Sequence, residues 1–300
     1  MLRKIGLFIV KAFCWLLVVL VVLLLLIDRF VQFRMDDKEL GGFFATRHIS
    51  YRISSYKSRD RNIRYVQTGI EDSSKATIIF IHGAPSSSSY WKAYLSDSTL
   101  LQKATMFAVD RPGYGYSGLG EPLPDVQAQA AVIKPILDSL HHAHHPIIIV
   151  GASYGSPIAC RIAMDYPSLA DGLVLVAPPL GPGQERIFWF SPMIENPLLN
   201  WVVPRMLQSA NKEKLHHRDD LNAMLNGWSS IHVPVSYLQG TNDELVYPSN
   251  AVFARTHLTG VSSLDIQMIP GRGHLIAFNE KDRITKAILD ILNKADSSHR

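Results

Sequence analysis

Two hydrophobic periods along the chain predict its architecture. Two early runs alternate apolar with polar residues, as half-buried strands do. Later, short runs rich in β-branched residues, typical of buried strands, alternate with stretches in which apolar residues recur at helical spacing. The predicted strands are 49–53, 63–67, 77–81, 105–109, 147–150, 171–176, 233–238 and 264–269, and the main predicted helices are 126–140, 156–164, 250–257 and 281–294. This alternation predicts a mostly parallel sheet covered by helices on both faces.

The N-terminal segment predicts a membrane anchor. Lys11 is the only charged residue in 5–27, and 15–27 contain no polar residue. At about 1.5 Å per residue, this run is long enough to cross a hydrocarbon core of about 30 Å. No small-residue cleavage site follows, so we expect an uncleaved helix rather than a signal peptide. Arg3, Lys4 and Lys11 favour a cytoplasmic N-terminus, with the rest of the chain on the far side of a single-pass anchor.

These patterns divide the chain into three parts. Residues 1–33 are the predicted transmembrane anchor and its flanks, 34–48 a polar linker, and 49–300 one α/β domain. From about 180 to 230 the strand–helix rhythm breaks, and aromatic residues stand among prolines and charges. We expect a helical cap insertion over the active site there; the alternative is a connection packed on the surface.

Composition and charge narrow the classes of function. The formal net charge of the 300 residues is +4, without a basic run interleaved with aromatic residues, which gives nucleic-acid binding no support. Cys14 and Cys160 lack metal-ligand spacing and are not expected to pair. Four histidines at 141–145 follow a predicted helix, where positive side chains suit the dipole; a metal site there is the less favoured interpretation. The histidines at 216, 217 and 257 are expected to be exposed on helices. We expect neither a metal nor a cofactor.

The pentapeptide 151–155, Gly-Ala-Ser-Tyr-Gly, is the strongest candidate for chemistry. It follows a buried strand and precedes a predicted helix, the context of a G-x-S-x-G nucleophile elbow. A tight turn there lifts the hydroxyl of Ser153 clear of the sheet. A serine hydroxyl is a weak nucleophile, so it needs a base, a group that orients the base, and donors for the oxyanion.

Two residues that follow later strands are candidates for the base and the acid. His274 ends a Gly-Arg-Gly-His loop after the last predicted strand and is the expected base. Asp243 follows the strand before it and is the expected acid, with Glu244 as the nearest alternative. Residues 177–179, which follow the preceding predicted strand, contain no carboxylate that could serve as the acid instead of Asp243. The chain order Ser153, Asp243, His274 is the order expected of an α/β-hydrolase.

Backbone amides are the predicted oxyanion donors. Tyr154 follows the serine directly and supplies one N–H group. Ala84 is expected to supply the other, since Pro85 has none. His82 ends a strand just before this loop and is expected to shape it.

Five motifs carry a resemblance to the α/β-hydrolase fold superfamily over about residues 50 to 294. They are His-Gly-Ala-Pro at 82–85, Asp-Arg-Pro-Gly-Tyr-Gly-Tyr-Ser at 110–117, Gly-Ala-Ser-Tyr-Gly at 151–155, Gly-Thr-Asn-Asp at 240–243 and Gly-His at 273–274. The resemblance implies that fold and a serine-nucleophile, esterase- or lipase-like activity. Asp-Arg-Pro-Gly also occurs in haloalkane dehalogenases and epoxide hydrolases of this fold, which use an aspartate as nucleophile. Ser153 stands at that position here, which favours acyl transfer to water.

The sequence therefore predicts a membrane-anchored serine hydrolase that cleaves a carboxylic ester through an acyl-enzyme, without a cofactor. A short-to-medium acyl ester or a lipid-like ester is the expected substrate. One alternative is a peptidase resembling proline iminopeptidases, which needs a cap carboxylate such as Glu185, Glu195 or Glu213 and typically has a His-Gly-Gly-Pro loop. A carbon–carbon bond hydrolase and a catalytically silent binding protein on the same scaffold are the others.

Overall fold

The computed structural model describes residues 2–69, 75–140 and 145–298. Within these residues the strands are β1 (Tyr51–Ser58), β2 (Arg61–Thr68), β3 (Ala76–Ile81), β4 (Ala104–Val109), β5 (Ile147–Ala152), β6 (Gly172–Val176), β7 (Val235–Gly240) and β8 (Leu264–Ile269). They form one sheet in the order β1-β2-β4-β3-β5-β6-β7-β8. β2 pairs antiparallel with β1 and β4, and the remaining neighbours are parallel.

Helices connect the strands and cover both faces of the sheet. They are α1 (Leu2–Phe30), α2 (Asp37–Ala45), α3 (Lys92–Leu95), α4 (Ser98–Lys103), α5 (Val126–Leu140), α6 (Gly155–Asp165), α7 (Ser191–Ile194), α8 (Arg205–Met224), α9 (Asn250–His257), α10 (Ile276–Asn279) and α11 (Lys281–Ser298). The predicted mostly parallel sheet with helices on both faces is thereby confirmed.

Alternate residues of the central strands feed two separate hydrophobic cores, because successive side chains of a strand point to opposite faces. On β3, Ile79 and Ile81 pack in the core that contains α5 and α6. Ile78 and Phe80 pack in the opposite core with α11. Continuous apolar runs such as that of β3 therefore reflect a sheet buried on both sides.

Helix α2 lies within residues 34–48, the predicted polar linker, and packs against the domain. Its first turn is capped by Asp36, whose side chain accepts a 2.7 Å hydrogen bond from the Glu39 amide. Leu40 and Phe44 are fully buried in the core beside α11. The acidic residues at the start of this segment thus form the cap and the first turn of α2. Because Gly41 has no side chain, the helix can approach the ring of Tyr51 closely.

The N-terminal helix α1 carries the predicted membrane segment. Its stretch Ile5–Phe30 is long and apolar enough to cross a membrane by length and composition, and its side chains pack against little of the domain. Near its end, Asp28 accepts hydrogen bonds from the amide and the guanidinium of Arg205, at the start of α8. The apolar helix is therefore joined to the segment between β6 and β7.

The break in rhythm near 180–230 corresponds to a helical segment between β6 and β7. It contains α7, a single turn at Asn200–Val202 and the long helix α8, which begins directly after Pro204. α8 turns Leu221 and Met224 into the core beside α6. This cap segment lies over the carboxyl ends of the strands, where an open α/β sheet forms its ligand site.

Candidate active site

Ser153 occupies the tight turn between β5 and α6. Its φ is +48°, in the left-handed region that a non-glycine residue rarely adopts. A Cβ atom at Gly151 would lie 2.5 Å from the carbonyl oxygen of Gly155, so strand and helix approach more closely than other residues allow. The Ser153 amide donates a 2.8 Å hydrogen bond to the Val176 carbonyl, which fixes the turn to the neighbouring strand β6.

The structure brings Ser153, His274 and Asp243 together in one hydrogen-bonded chain. Ser153 Oγ lies 3.0 Å from His274 Nε2, and His274 Nδ1 lies 2.8 Å from Asp243 Oδ2. In a neutral imidazole whose Nδ1–H donates to this carboxylate, Nε2 can accept from the serine hydroxyl. Asp243 is buried, and its other oxygen accepts from the amides of Leu245 and Val246 at 3.0 and 2.9 Å.

Glu244, the alternative to Asp243, lies away from this chain of hydrogen bonds. Its side chain is 85% exposed, and its nearest ion partner is Arg186 at 4.0 Å. In the loop after β7, the two adjacent acidic side chains thus point in opposite directions: Asp243 into the protein and Glu244 into solvent. The separation was not visible in the sequence, where the two carboxylates are adjacent.

Ala84 and Tyr154, the predicted oxyanion donors, both line the cavity beside Ser153. Among the described residues, neither backbone N–H group donates a hydrogen bond to the protein. The loop that carries Ala84 also approaches the elbow closely, because a Cβ at Gly83 would lie 2.9 Å from the Cβ of Ser153. Two free amides beside a serine hydroxyl could together stabilise an oxyanion.

The side chain of His82 stabilises the loop that carries Ala84. Its Nδ1 lies 2.7 Å from the Gly83 carbonyl, and its Nε2 accepts a 3.0 Å hydrogen bond from the Arg111 amide. The ring is fully buried, and burial followed by the charge of Arg111 lowers its pKa well below the ordinary value. The imidazole is therefore neutral, with the proton on Nδ1.

A buried ion pair joins the same loop to the cap segment. Arg111 Nε donates to the His82 carbonyl at 2.7 Å and Nη2 to the Gly83 carbonyl at 3.0 Å. Its guanidinium also donates to both carboxylate oxygens of Glu213 on α8, at 2.5 and 3.1 Å. Burial disfavours the charge of Arg111, but Glu213 and other neighbours outweigh it and raise the pKa of the guanidinium.

Glu213, a candidate for binding a substrate amino group, is therefore occupied. Besides Arg111, it accepts from the Tyr114 hydroxyl at 2.6 Å and from Gln129 Nε2 at 2.7 Å. Sequence reasoning missed this network. The signal was Arg111 itself, because an arginine two residues after a buried strand is buried in turn and needs a buried partner.

The expectation that His217 is exposed is wrong. Its side chain is fully buried, with Nδ1 2.5 Å from Glu185 Oε1 and its ring 4.9 Å from that of Tyr154. The buried side of α8 carries several polar residues, among them Glu213 and His217, so the sequence pattern assigns these residues to the surface. Burial alone would raise the pKa of Glu185, but His217 and Lys214 outweigh it, and the pKa is lowered.

A cavity of about 380 Å³ opens at Ser153 and His274 beneath the cap segment. Its walls are mostly apolar, with side chains from the cap segment and from the loop after β7: Phe188, Phe190, Ile194, Val203, Leu207 and Leu245. Glu185 and Lys214 also reach the cavity, and burial lowers the pKa of Lys214. The space suits an apolar chain that ends at the serine.

The histidine tract considered as a metal site falls partly outside the structure. Residues 141–144 lie outside the described residues, and His145 adjoins them. In the parts of the chain that are described, no group of three or more His, Cys, Asp or Glu side chains could hold a metal ion.

The strand order of the sheet, the tight turn at Ser153 and the hydrogen bonds that connect Ser153, His274 and Asp243 are together those of an α/β-hydrolase. The sequence profile of the Alpha/beta hydrolase family matches residues 78–287, and the chain belongs to this family. It is thus a hydrolase enzyme.

Curated relatives match parts of the chain. The “Probable lysophospholipase BODYGUARD 3” of Arabidopsis thaliana is 31% identical over 39% of this chain, and an uncharacterized protein of Mycobacterium bovis is 32% identical over 33%. The matches span only 24% and 28% of the lengths of those two proteins.

Solved structures share the fold at low sequence identity. A candidate lipase from Acinetobacter baumannii has a TM-score of 0.67 at 17% identity, over 88% of this chain and 98% of its own. A membrane phospholipase A, described as a bacterial virulence factor, has a TM-score of 0.66 at 17% identity, over 96% and 98%.

Proposed function

We propose that the protein cleaves carboxylic esters with Ser153 as the nucleophile, His274 as the base and Asp243 as the group that orients His274. The observation that carries this proposal is the chain of hydrogen bonds from Ser153 through His274 to Asp243 at the mouth of the apolar cavity. A serine within 3.0 Å of an imidazole that a buried carboxylate holds has the arrangement that acyl transfer requires.

The first half of the reaction forms an acyl-enzyme. Ser153 Oγ attacks the acyl carbon and transfers its proton to His274 Nε2. The tetrahedral intermediate collapses, the bond from the acyl carbon to the alcohol oxygen breaks, and His274 gives the proton to the leaving alcohol. In the second half, a water gives a proton to Nε2 and attacks the acyl carbon; the bond to Oγ breaks, Oγ regains the proton and the acid departs.

Ala84 and Tyr154 take the role of oxyanion donors in this proposal. The free N–H groups of both residues border the cavity at Ser153, where the negative oxygen of each tetrahedral intermediate forms. Losing one such donor typically costs on the order of a hundredfold in rate.

The proposed substrate is a lipid-like ester with an acyl chain that fills the apolar cavity. Support comes from its lining and from the lipase, phospholipase and lysophospholipase names among similar proteins. The peptidase alternative is less favoured, because Glu213 is paired with Arg111 and Glu195 accepts from Asn211 at 2.8 Å. Glu185 lines the cavity, but His217 holds it.

Helix α1 is proposed to anchor the protein in a membrane, with the N-terminus in the cytoplasm and the hydrolase domain on the far side. The apolar stretch Ile5–Phe30 supports this. In cells that express the full chain, we expect the protein to stay in the membrane fraction after alkaline carbonate treatment. Protease added outside the cytoplasmic membrane should degrade the domain; protection of the domain would reverse the orientation.

The nucleophile is tested with the full chain in detergent and a series of p-nitrophenyl esters. Ser153→Ala should abolish turnover and labelling by a fluorophosphonate probe. Ser236→Ala is the matched control, since Ser236 is a buried serine on β7 outside the cavity lining. We expect this control to keep both activities.

Each failure has its own meaning. Equal turnover by Ser153→Ala and the native protein would exclude Ser153 as nucleophile. Probe labelling of Ser153 without hydrolysis of any ester would retain the nucleophile and move the proposal to amide or carbon–carbon substrates. If the folded native protein shows no probe labelling and no turnover, that result would favour a silent scaffold.

A further inference from the structure

The cap segment exposes large apolar side chains between β6 and β7. Trp189 and Leu198 are each 80% exposed, and Met193 is 52% exposed. Other exposed apolar residues in this part of the chain are Ile187, Phe190, Leu199 and Trp201. We call residues 187–201 the apolar cap surface. Exposed apolar groupings of this kind mark sites of interaction with proteins or membranes.

Few charges interrupt the apolar cap surface. Arg186 and Arg205 stand on either side of it, and Glu195 is the only charged residue between them. The Glu195 carboxylate is occupied by a hydrogen bond from Asn211. The segment thus has the composition of an interfacial membrane element, with tryptophans among aliphatic residues and basic residues at the edges.

The apolar cap surface adjoins the end of the membrane helix. Leu24 and Asp28 of α1 line one crevice together with Trp201, Val203 and Arg205. Arg205 closes this contact with a 2.9 Å ion pair to Asp28. Because α1 leaves the hydrocarbon near Asp28, the contact holds this part of the cap at the level of the membrane surface. A separate protein partner would not need this proximity.

The same stretch of chain also forms a wall of the cavity. Phe190 and Ile194 line the cavity, while Trp189 and Met193 beside them are exposed. Only the thickness of this stretch therefore separates the acyl site from the exterior at the membrane side.

We infer that the apolar cap surface inserts into the interfacial layer of the lipid bilayer that α1 crosses. The inference rests on the proposed anchoring by α1. The partner is the lipid surface itself: Trp189 and Trp201 lie at the headgroup level, and Leu198 and Met193 contact the upper acyl chains. Insertion brings the cavity wall into contact with the lipids that would supply the substrate.

Tryptophan fluorescence tests insertion directly. The full chain is reconstituted in phosphatidylcholine–phosphatidylglycerol vesicles, with or without lipids that carry a nitroxide on the headgroup. A Trp15→Phe background removes the fluorophore in the anchor, and Trp91 and Trp228 are fully buried in the domain. Headgroup nitroxide should quench the emission, and the quenched part should disappear when Trp189 and Trp201 are both changed to Phe.

An activity assay gives the second readout. Trp189→Glu/Leu198→Glu changes two exposed residues outside the cavity lining. We expect hydrolysis of a long-chain ester embedded in vesicles to fall about tenfold or more, because charges oppose interfacial insertion. Hydrolysis of soluble p-nitrophenyl butyrate should change less than about twofold. Val252→Glu, on the exposed side of α9, is the matched control and should leave both rates unchanged.

Three outcomes would overturn the inference. A further measurement distinguishes failure of membrane docking from failure of the anchoring by α1. Unquenched Trp189 and Trp201, equal loss on both substrates, or a disulfide dimer of Met193→Cys in vesicles (a second copy covering the surface) would each contradict membrane docking. Trp15 of the native chain, read with lipids brominated deep in the acyl chains, reports the anchor alone. Quenched Trp15 with unquenched Trp189 would keep the anchor and reject the docking surface.

Discussion

Arg111 and Glu213 form a fully buried ion pair with two hydrogen bonds, which joins the loop after β4 to the cap helix α8. Arg111 also holds the carbonyls of His82 and Gly83, directly before the proposed oxyanion donor Ala84. Glu213 does not line the cavity. We therefore propose that Glu213 is a positioning residue, which acts through Arg111 on the loop that carries Ala84.

Glu213→Gln should lower kcat about tenfold and leave KM nearly unchanged, because the loop shifts while the cavity lining is kept. The free energy of unfolding should fall by about 3 kcal/mol, since Arg111 stays buried without an opposite charge. Steady-state kinetics and chemical unfolding in detergent measure the two effects.

The double variant Arg111→Met/Glu213→Leu serves as the control for this pair. It removes both charges, so it should recover stability relative to Glu213→Gln but not kcat. A Glu213→Gln variant with reduced stability and native kcat would show that the pair only supports the fold.

Leu207→Trp should shift the chain-length preference toward shorter acyl groups. Leu207 lies on α8 and lines the cavity, so a larger ring there excludes the far end of a long chain. Each methylene excluded from an apolar site costs about 0.8 kcal/mol, about fourfold in kcat/KM. A p-nitrophenyl ester series measures the profile; Leu225→Trp, at an exposed position, should keep the native profile. Parallel profiles for both variants would place the acyl chain elsewhere.

Phe44→Ala should destabilise the domain by about 3–5 kcal/mol, because it leaves a cavity in the core beside α11. Phe43→Ala, at the partly buried neighbouring position, should cost clearly less. Thermal unfolding of both variants in detergent tests whether α2 is part of the domain. Equal and small decreases in Tm for Phe44→Ala and Phe43→Ala would indicate that residues 34–48 are a linker outside the domain.

His82 should make stability fall in mild acid. Its pKa is lowered well below 6.5 in the fold, so below about pH 6.5 the unfolded chain takes up a proton that the native ring does not. Its contribution is therefore complete above that pH and is lost as the pH falls, by at most about 1.4 kcal/mol per pH unit. The pH dependence of unfolding between pH 5 and 8 should be shallower by about one proton in His82→Asn. Identical slopes would contradict a neutral buried His82.

Local patterns revealed the strands and the site candidates, because each depends on residues near one another in the chain. The elbow at Ser153, Asp243 after β7 and His274 after β8 all follow strand ends, and parallel strands end at the same edge. Helix α2 was missed because two glycines and a polar first turn resemble a tether. Its burial comes from distant residues such as those of α11.

The inward polar side of α8 was invisible for a related reason. Glu213 and His217 look like solvent-facing residues until their partners Arg111 and Glu185 are brought near them by the fold. Buried polar networks carry no hydrophobic period, so periodicity assigns them to the surface.

The cap segment places the inner wall of the cavity and the outer surface of the domain on adjacent residues. Ile194 lines the cavity while Met193 beside it is exposed. A single substitution at Trp189 can affect the outer surface alone, whereas replacement of the whole stretch alters both the proposed acyl-chain preference and the proposed membrane affinity. Homologues that diverge in this short stretch should change both traits at once, even when the serine, histidine and aspartate remain identical.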